Sequence, residues 1–420
     1  MNDQPKGNSE RPQLQDGFNL SKTTLLLGSG ISKPSGYPLT AEITNALFSK
    51  NWLFDQDQAR VPYPLNDLEG VYLLKTQGIY GLLKILRAHI DQHLAIQGKG
   101  EANYEDLYFL AQQLLDSLKG EYDNPGLMPL LFDLRTTVSL MASNLNANRG
   151  LFGLWGESID LDLTELLEKG TKFIEESVAS HLSPREEIKG LEFLDQLLVA
   201  DQKSPLHLVS LNHDTLIETY LSAHKVSDGF VQISTEAAEF QPDSFEGEEP
   251  YRVRLLKLHG SINWFRYQTV DSRENRILKI SAQDRDHVTG LNDEKLFPPN
   301  DRLMLSGTTN KELAYGSGVF IELMFQFQKR LKETDLLIVS GYGFADKGIN
   351  NRLWAWLDTR PKNRIVVLHE NIDELRRDAK PSFSSNMERH KGTGKFVLVD
   401  KWMCDSSLDD LIRELRLSHR

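Results

Sequence analysis

One short apolar run near the start of the chain constrains its fold more than any other feature. Residues 23–27 read Thr-Thr-Leu-Leu-Leu and lead directly into Gly28-Ser29-Gly30. An apolar run of this length that ends at a glycine predicts a buried parallel strand. The two glycines would let backbone N–H groups approach a pyrophosphate, because no Cβ stands in the way, and Ser32 adds a hydroxyl donor.

The sequence after this turn predicts a helix over residues 40–50, with Thr40 as its N-cap. Strand, glycine turn and helix in this order are the context of a dinucleotide-binding fingerprint. The third glycine of that fingerprint is absent, since Lys33 stands at its position. A tight turn without a ligand therefore remains the alternative interpretation of this stretch.

Composition argues against several classes of protein. The formal net charge of -12 over 420 residues argues against broad nucleic-acid binding, which leaves a basic footprint. The single cysteine, Cys404, cannot form an internal disulfide or a cysteine-rich zinc site, and it fits a reducing, cytoplasmic setting. Segment 1–20 is polar and predicts a mobile tail without the apolar core of a signal peptide. No apolar run reaches the roughly 18 residues that a membrane span needs.

Apolar residues recur at helical spacing between residues 51 and 200. Ile79, Leu82, Leu83 and Leu86 are one example of these three- and four-residue steps. The period predicts amphipathic helices with one buried face, so segment 51–200 is predicted as an all-helical insertion domain. His89 and His93 lie four residues apart on one predicted helix, but no third ligand accompanies them, and no metal site is predicted.

Short apolar runs resume after residue 200 and alternate with predicted helices. Segments 235–250 and 271–300 are polar, and they are predicted to form an exposed loop and an irregular or hairpin-like stretch. Strands that alternate with helices predict an α/β fold, a Rossmann-like doubly wound parallel sheet with a large all-helical insertion. Its two parts are residues 21–50 and 201–400, and residues 401–420 add a C-terminal helix.

Glycine-containing or polar motifs follow five of the predicted strands. In chain order they are Gly28-Ser29-Gly30, Asn212-His213-Asp214, His259-Gly260, Gly341-Tyr342-Gly343 and Glu370-Asn371. Ligands of parallel sheets bind at the carboxyl ends of the strands, which share one edge of the sheet. We therefore expect these motifs to converge on a single site.

In this order the motifs resemble those of the sirtuin superfamily. The family's Gly-Ala-Gly-x-Ser, Gly-Ile-Pro, Gln-Asn-x-Asp and His-Gly motifs are matched by Gly28, Gly30, Ser32, Gly36, Pro38, Asn212, Asp214 and His259-Gly260. The late nucleotide loop is approximated by residues 340–343, and the terminal Asn by Asn371. The resemblance extends over about residues 21–400.

Two departures narrow this resemblance. The four zinc-binding cysteines that follow His-Gly in a deacylating sirtuin are missing, and Leu39-Thr40-Ala41 replaces the family's Asp-Phe-Arg. The chain is therefore similar to the divergent, zinc-free sirtuin-like proteins of prokaryotic antiviral systems. The resemblance implies binding of NAD without zinc, through Gly28, Ser29, Gly30, Ser32, Gly341, Tyr342, Gly343 and Asn371.

The same resemblance implies an activity and partners. Such proteins cleave NAD to nicotinamide and ADP-ribose as toxic effectors of anti-phage defence, held off until a trigger acts. It further implies a homo-oligomer and a partner such as a HerA-type ATPase. The trigger, the partner and the oligomeric state are not specified by the sequence.

The residue types at the strand ends suit NAD cleavage. Nicotinamide leaves as a neutral group without a general acid, so the site needs a fixed ribose, a positioned water and a base. Asn212 can hold a ribose hydroxyl and a water because an amide both donates and accepts. Asp214 would anchor the Asn212 loop or the ribose, and His259 is the predicted base, with His213 as its competitor.

Other interpretations remain open at this point. Asn212 and Asp214 could cap the next helix, and His259 could be a satisfied strand-end histidine. The whole protein could be a non-hydrolytic NAD- or ADP-ribose-binding regulatory subunit, or a protein deacylase or ADP-ribosyltransferase. The missing zinc cysteines count against a deacylase, and the presence of Asn212 and His259 counts against a binding-only subunit.

Overall fold

The computed structural model describes residues 19–49, 71–121, 124–148, 160–245, 251–281, 284, 288–290, 294–307, 311 and 314–417. The predicted tail over 1–20 lies almost wholly outside these ranges, and so does residue 50, the last residue of the helix predicted over 40–50. The strands are β1 (Thr23–Leu27), β2 (Leu206–Ser210), β3 (Val226–Ser227), β4 (Phe230–Gln232), β5 (Ala237–Phe240), β6 (Val253–Lys257), β7 (Gly260–Thr269), β8 (Asn275–Ile280), β9 (Leu296–Met304), β10 (Leu336–Ser340), β11 (Arg364–Leu368) and β12 (Phe396–Val399).

The helices follow the same chain order. They are α1 (Thr40–Leu47), α2 (Val71–Ile96), α3 (Tyr104–Lys119), α4 (Met128–Asn148), α5 (Leu163–His181), α6 (Glu192–Ala200), α7 (Leu216–Tyr220), α8 (Gly318–Glu333), α9 (Lys347–Thr359), α10 (Ile372–Asp378), α11 (Pro381–Arg389) and α12 (Leu408–Leu417). Short 3-10 turns occur at Leu20–Lys22, Ser29–Ser35, Pro125–Leu127, Pro242–Phe245 and Met403–Asp405.

A parallel sheet lies at the centre of the fold, with the strand order β12-β11-β10-β1-β2-β6-β3. In β1, Leu25 lies opposite Ile338 of β10 on one side and Leu208 of β2 on the other. Successive side chains of a strand point to opposite faces, so Leu25 and Leu27 join one apolar cluster and Leu26 joins another. Helices cover both faces, which confirms the predicted Rossmann-like doubly wound sheet.

The helical insertion is also confirmed, and it shares its core with the sheet. Leu82, Leu107 and Leu166, from α2, α3 and α5, are buried in the same apolar cluster as Leu25 and Leu27 of β1. The leucine stripes that predict these helices are therefore core residues. The division of the chain at residues 51 and 200 into separate domains remains a prediction.

A second sheet, antiparallel and not predicted, has the strand order β4-β5-β8-β7-β9. The loop expected over 235–250 is wrong where β5 pairs with β8, because Ala237 and Ala238 are buried there. Side chains this short give no apolar alternation that would predict a strand. Trp264 and Phe265 of β7 are core residues, each at most 2% exposed.

The first helix begins one residue earlier than an N-cap at Thr40 would allow. Thr40 is already helical, and the N-cap position belongs to Leu39, whose N–H donates to the Glu42 carboxylate over 2.7 Å. The prediction of Thr40 as N-cap is wrong because the Glu42 side chain satisfies the first free N–H of this helix instead. The helix ends at Leu47 rather than at residue 50.

The topology fixes where a ligand can bind. The chain leaves β1 for β2 on one side of the sheet and later returns to β10 on the other side. The carboxyl ends of β1 and β10 therefore flank a topological switch point, the place where parallel sheets of this kind bind their ligands.

Candidate active site

The glycine loops after β1 and β10 are packed directly on each other. The Gly28 N–H donates to the Ser340 carbonyl over 2.9 Å, and the Gly30 N–H donates to the Gly341 carbonyl over 3.0 Å. A Cβ on Gly28 would stand 2.5 Å from the Gly341 oxygen, and one on Gly341 would stand 2.5 Å from the Ile31 nitrogen. The glycines are required by this close approach, since any side chain would separate the loops.

This reason differs from the one that the sequence suggested. We expected the N–H groups of Gly28 and Gly30 to face a pyrophosphate, but both are occupied by carbonyls of the β10 loop. A ligand role for these two glycines stays a prediction. Gly343 is different, because a Cβ there would meet no atom within 4 Å and would extend into open space.

The loop after β2 places Asn212 against the first glycine loop. The Asn212 Nδ2 group donates to the Gly28 carbonyl over 3.2 Å and to the Ser32 hydroxyl over 3.1 Å. A backbone carbonyl can only accept, so this contact fixes which end of the amide is the nitrogen. The opposite atom, Asn212 Oδ1, is buried without a hydrogen-bond partner among the described residues.

Asp214 holds this loop in position. Its Oδ2 accepts from the Ser32 hydroxyl over 2.9 Å, and its Oδ1 accepts from the Leu216 N–H, at the start of α7, over 3.1 Å. The Lys257 ammonium donates to the Asp214 carbonyl and, over 2.6 Å, to Glu218. Asp214 thus satisfies the first N–H of α7 and anchors the Asn212 loop.

The histidine after β6 is part of a buried cluster with a tyrosine and an aspartate. His259 Nε2 lies 2.7 Å from the Tyr315 hydroxyl and 3.1 Å from Asp346 Oδ2. The Tyr315 hydroxyl donates to the same Asp346 oxygen over 2.6 Å. His259 is 4% exposed and Asp346 5% exposed, so the cluster is shielded from bulk water.

The surroundings favour neutral imidazoles at this edge of the sheet. Burial lowers the pKa of His259, the Lys311 ammonium lowers it further, and Asp346 opposes the shift. Burial also holds the pKa of the neighbouring His213 well below its usual range, with His259, Lys311 and Lys257 adding to the effect. Both histidines are therefore available as proton acceptors at neutral pH.

The other two groups of the cluster differ in charge, with a neutral phenol and an ionised carboxylate. Burial and the Asp346 carboxylate raise the pKa of Tyr315 far above its ordinary value, so the phenol stays protonated. Burial alone would raise the pKa of Asp346, but the contacts with His259, Lys311 and Tyr315 hold it well below its usual range. Asp346 is therefore an ionised carboxylate.

His259, Asp346, His213 and Lys311 line one cavity of about 300 Å³, with Tyr315 bonded behind His259 and Asp346. Of the predicted site residues it contains Gly28, Ser29, Ser32, Asn212, Asp214, His259, Gly341, Tyr342 and Gly343. Gly30 and Asn371 are not among its lining residues, and the Asn371 side chain caps α10 by accepting from the Glu374 N–H over 3.0 Å. The structure thus brings together most of the predicted site, and it leaves the terminal Asn in a capping role.

The helical insertion completes the wall of the cavity. Asn103, Tyr104 and Glu105, at the start of α3, line it opposite the sheet. The Glu105 carboxylate pairs with the buried Lys311 ammonium over 3.0 Å. This ion pair joins the insertion to the segment that carries Tyr315.

Four contributors to the site were not predicted from the sequence: Glu105, Lys311, Tyr315 and Asp346. Asp346 had a usable signal, since it is the N-cap of α9 just after the second Gly-x-Gly. The other three stand in polar or helical stretches distant in sequence from every strand end. Only the packing of the insertion and of the chain after β9 brings them to the cavity.

No cluster of three or more His, Cys, Asp or Glu residues within the described ranges is placed to hold a metal ion. The independence from zinc remains a prediction. None of the helices in that part of the chain combines the length and apolar character needed to cross a membrane.

Residues 206–388 match a family model described as SIR2-like domain. This segment is sirtuin-like. It runs from β2 into α11 and carries Asn212, His259, Tyr315 and Asp346. The match supports a sirtuin-like fold for this segment, and so confirms the coarser part of the predicted resemblance.

Two further comparisons concern the whole chain. No curated protein matches the sequence. One solved structure, described as "The Structural basis of Sirtuin Substrate Affinity", shares 10% identity over 95% of this chain and 94% of that chain, with a TM-score of 0.29. A TM-score this low supports no conclusion about the fold or the site.

Proposed function

We propose that the protein is an NAD glycohydrolase that cleaves NAD to nicotinamide and ADP-ribose. The observation that carries this proposal is the pairing of an unpartnered amide oxygen, Asn212 Oδ1, with a buried neutral histidine, His259, in one cavity. The cavity lies at the switch point of a doubly wound sheet, where such folds bind nucleotides. The sirtuin-like match over 206–388 points to NAD as that nucleotide.

The proposed reaction is a displacement at the nicotinamide ribose. The C1′–N bond breaks, and its electron pair neutralises the pyridinium nitrogen, so nicotinamide leaves without a proton. The oxygen of a water molecule bonds to C1′, and the water gives up one proton. His259 accepts that proton as the general base, a contribution worth roughly 10²- to 10⁴-fold in rate.

Asn212 orients the reactants in this proposal. Its Nδ2 protons are already committed to Gly28 and Ser32, so only Oδ1 is available, and it can only accept. A ribose hydroxyl or the attacking water would donate to it. Asp214 and Ser32 then act as positioning residues that hold the Asn212 amide.

We further propose that this reaction needs no zinc, since a single cysteine cannot supply the four-cysteine site of a deacylating sirtuin. A role as a cytoplasmic toxic effector of anti-phage defence, a HerA-type ATPase partner and a homo-oligomer follow from the resemblance alone. They stay predictions.

Product analysis tests the proposed reaction. Purified protein is incubated with NAD in ¹⁸O-labelled water, with and without an acylated peptide and over a range of protein concentrations. We expect nicotinamide and ¹⁸O-labelled ADP-ribose in equal amounts, independent of the peptide. Products that form only with peptide would indicate a deacylase, and bound but intact NAD under all conditions would indicate a binding subunit.

A further inference from the structure

We infer that Asp346 and Tyr315 hold His259 in the tautomer that carries its proton on Nε2, so that Nδ1 is the nitrogen that accepts the proton of the attacking water. This inference rests on the proposed function for its catalytic consequence, but the tautomer itself is a property of the folded protein. Asp346 and Tyr315 are positioning residues here, because they act through His259.

The tautomer of His259 follows from the donors that are available to Asp346 Oδ2. The oxygen lies within hydrogen-bond distance of the Tyr315 hydroxyl, at 2.6 Å, and of His259 Nε2, at 3.1 Å. Tyr315 has one proton to donate, and a buried carboxylate is best satisfied by donors on every side. If Nε2 lacked a proton, it would face an anionic oxygen with its lone pair. A proton on Nε2 satisfies the carboxylate and leaves the lone pair on Nδ1.

The orientation of the Asp346 carboxylate is fixed by the start of α9. Asp346 Oδ1 accepts from the Ile349 N–H over 3.0 Å and so caps α9, which orients the other oxygen toward His259. The preceding turn is fixed as well, since Asn350 Nδ2 donates to the Phe344 carbonyl over 2.8 Å and the Tyr342 hydroxyl donates to Asn350 Oδ1 over 2.8 Å. The N-cap of α9 thus fixes the Asp346 oxygen that lies against His259.

The titratable groups that face His259 come from several elements. They are Asp346 before α9, Lys311 and Tyr315 after β9, Glu105 at the start of α3, and His213 after β2, whose ring centroid is 6.1 Å away. Lys311 opposes a charged imidazole, and Glu105 offsets Lys311 by pairing with it. Neutral His259 carries only one ring proton, so its tautomer decides which of its two nitrogens can act as the base.

Asp346→Asn tests the inference with almost no change of shape. The amide oxygen can keep the cap on Ile349, while the amide NH₂ would replace Oδ2 and point a donor at His259 Nε2. The imidazole would then have to accept a hydrogen bond at Nε2 and carry its proton on Nδ1. A protonated Nδ1 could not accept the proton of the attacking water. The same logic makes Asp→Asn so damaging in Ser-His-Asp triads.

The tautomer is read by ¹⁵N NMR of protein labelled at histidine, with His259→Ala identifying the ring signals of His259. We expect a proton on Nε2 in the wild type and on Nδ1 in Asp346→Asn. Tyr315→Phe should keep the Nε2 proton, because Asp346 still accepts it. A wild-type proton on Nδ1, an unchanged tautomer in Asp346→Asn, or a flipped tautomer in Tyr315→Phe would each overturn the inference.

Turnover provides the second readout. Asp346→Asn should lower kcat on the order of 10²- to 10⁴-fold with little change in KM, whereas Asp162→Asn should not change it. Asp162 is the matched control, since it caps α5 in the same way by accepting from the Glu165 N–H over 2.9 Å. Should the wild type cleave no NAD, the proposed function fails, and the NMR measurement still decides the tautomer. Should Asp346→Asn not fold, the wild type and Tyr315→Phe decide it.

Discussion

At the scale of single residues, the nitrogen and the oxygen of the Asn212 amide have different roles. Its nitrogen binds Gly28 and Ser32 and so holds two loops together, while its oxygen is buried without a partner among the described residues. A buried unsatisfied oxygen costs about 1–3 kcal/mol. Such a cost is expected where the missing partner is a ligand.

Asn212→Ala should therefore lower NAD turnover by about 10²-fold or more, because positioning of the ribose and water is lost. Ser32→Ala is the matched control, since it removes the same Asn212–Ser32 hydrogen bond but keeps the amide oxygen, and its effect should be smaller than tenfold. Nicotinamide release and thermal unfolding are measured for both. A folded Asn212→Ala protein with wild-type turnover would contradict the role of the amide.

Single residues also show where sequence reasoning stops. Asn212, Asp214 and His259 could be predicted because each directly follows an apolar strand, and strand ends of a parallel sheet share an edge. Tyr315 and Glu105 could not be predicted, because their contacts with the site form only when the insertion and the chain after β9 pack against the sheet. The buried strand that contains Leu25–Leu27 could be predicted from its apolar run, whereas the short side chains of Ala237 and Ala238 gave no signal for the strand β5.

At the scale of elements, the loops after β1 and β10 form one interlocked unit. Gly341 has a φ of 67°, in the left-handed region that favours glycine, and its neighbours leave no room for a Cβ. Gly343, two residues later, has open space around it and lines the cavity. The two glycines of one motif thus differ, since Gly341 is required by the packing of the loops and Gly343 borders the cavity.

Gly341→Ala should lower the free energy of unfolding by about 2 kcal/mol or more, because it adds left-handed strain and overpacking together. Gly343→Ala should change the free energy of unfolding little and weaken NAD binding, since its methyl group enters the cavity. Denaturant unfolding and NAD titration of both variants check this pair. Equal NAD affinity of Gly343→Ala and wild type would show that NAD does not approach this loop.

At the scale of the whole molecule, the Glu105–Lys311 ion pair joins the insertion to the segment after β9. Lys311 is 5% exposed, so its ammonium depends on Glu105 for compensation. The pair lies at the cavity wall, and it modulates His259, whose pKa Lys311 lowers and Glu105 raises. The insertion therefore contributes to the electrostatics of the site as well as to its walls.

Glu105→Gln should cost on the order of 3 kcal/mol of stability, the lower end for a broken buried pair, because it leaves a buried cation unpaired and Glu105 itself is partly exposed. It should also move the acid limb of the pH–rate profile to lower pH. Turnover needs neutral His259, so activity rises as pH rises through the His259 pKa, and loss of the Glu105 charge lowers that pKa. Glu168→Gln, in the exposed Lys119–Glu168 pair of the same insertion, is the control and should change stability by less than about 1 kcal/mol. A limb that stays in place would mean that Glu105 does not act on His259.

The most direct test of the central claim compares His259→Ala with the wild type, with NAD affinity and nicotinamide release measured on the same samples. We expect turnover to fall roughly 10²- to 10⁴-fold while NAD affinity changes little, because the base acts on water and other groups hold the nucleotide. His259→Ala that folds, binds NAD and releases nicotinamide at the wild-type rate would contradict the account and make His213 the candidate base.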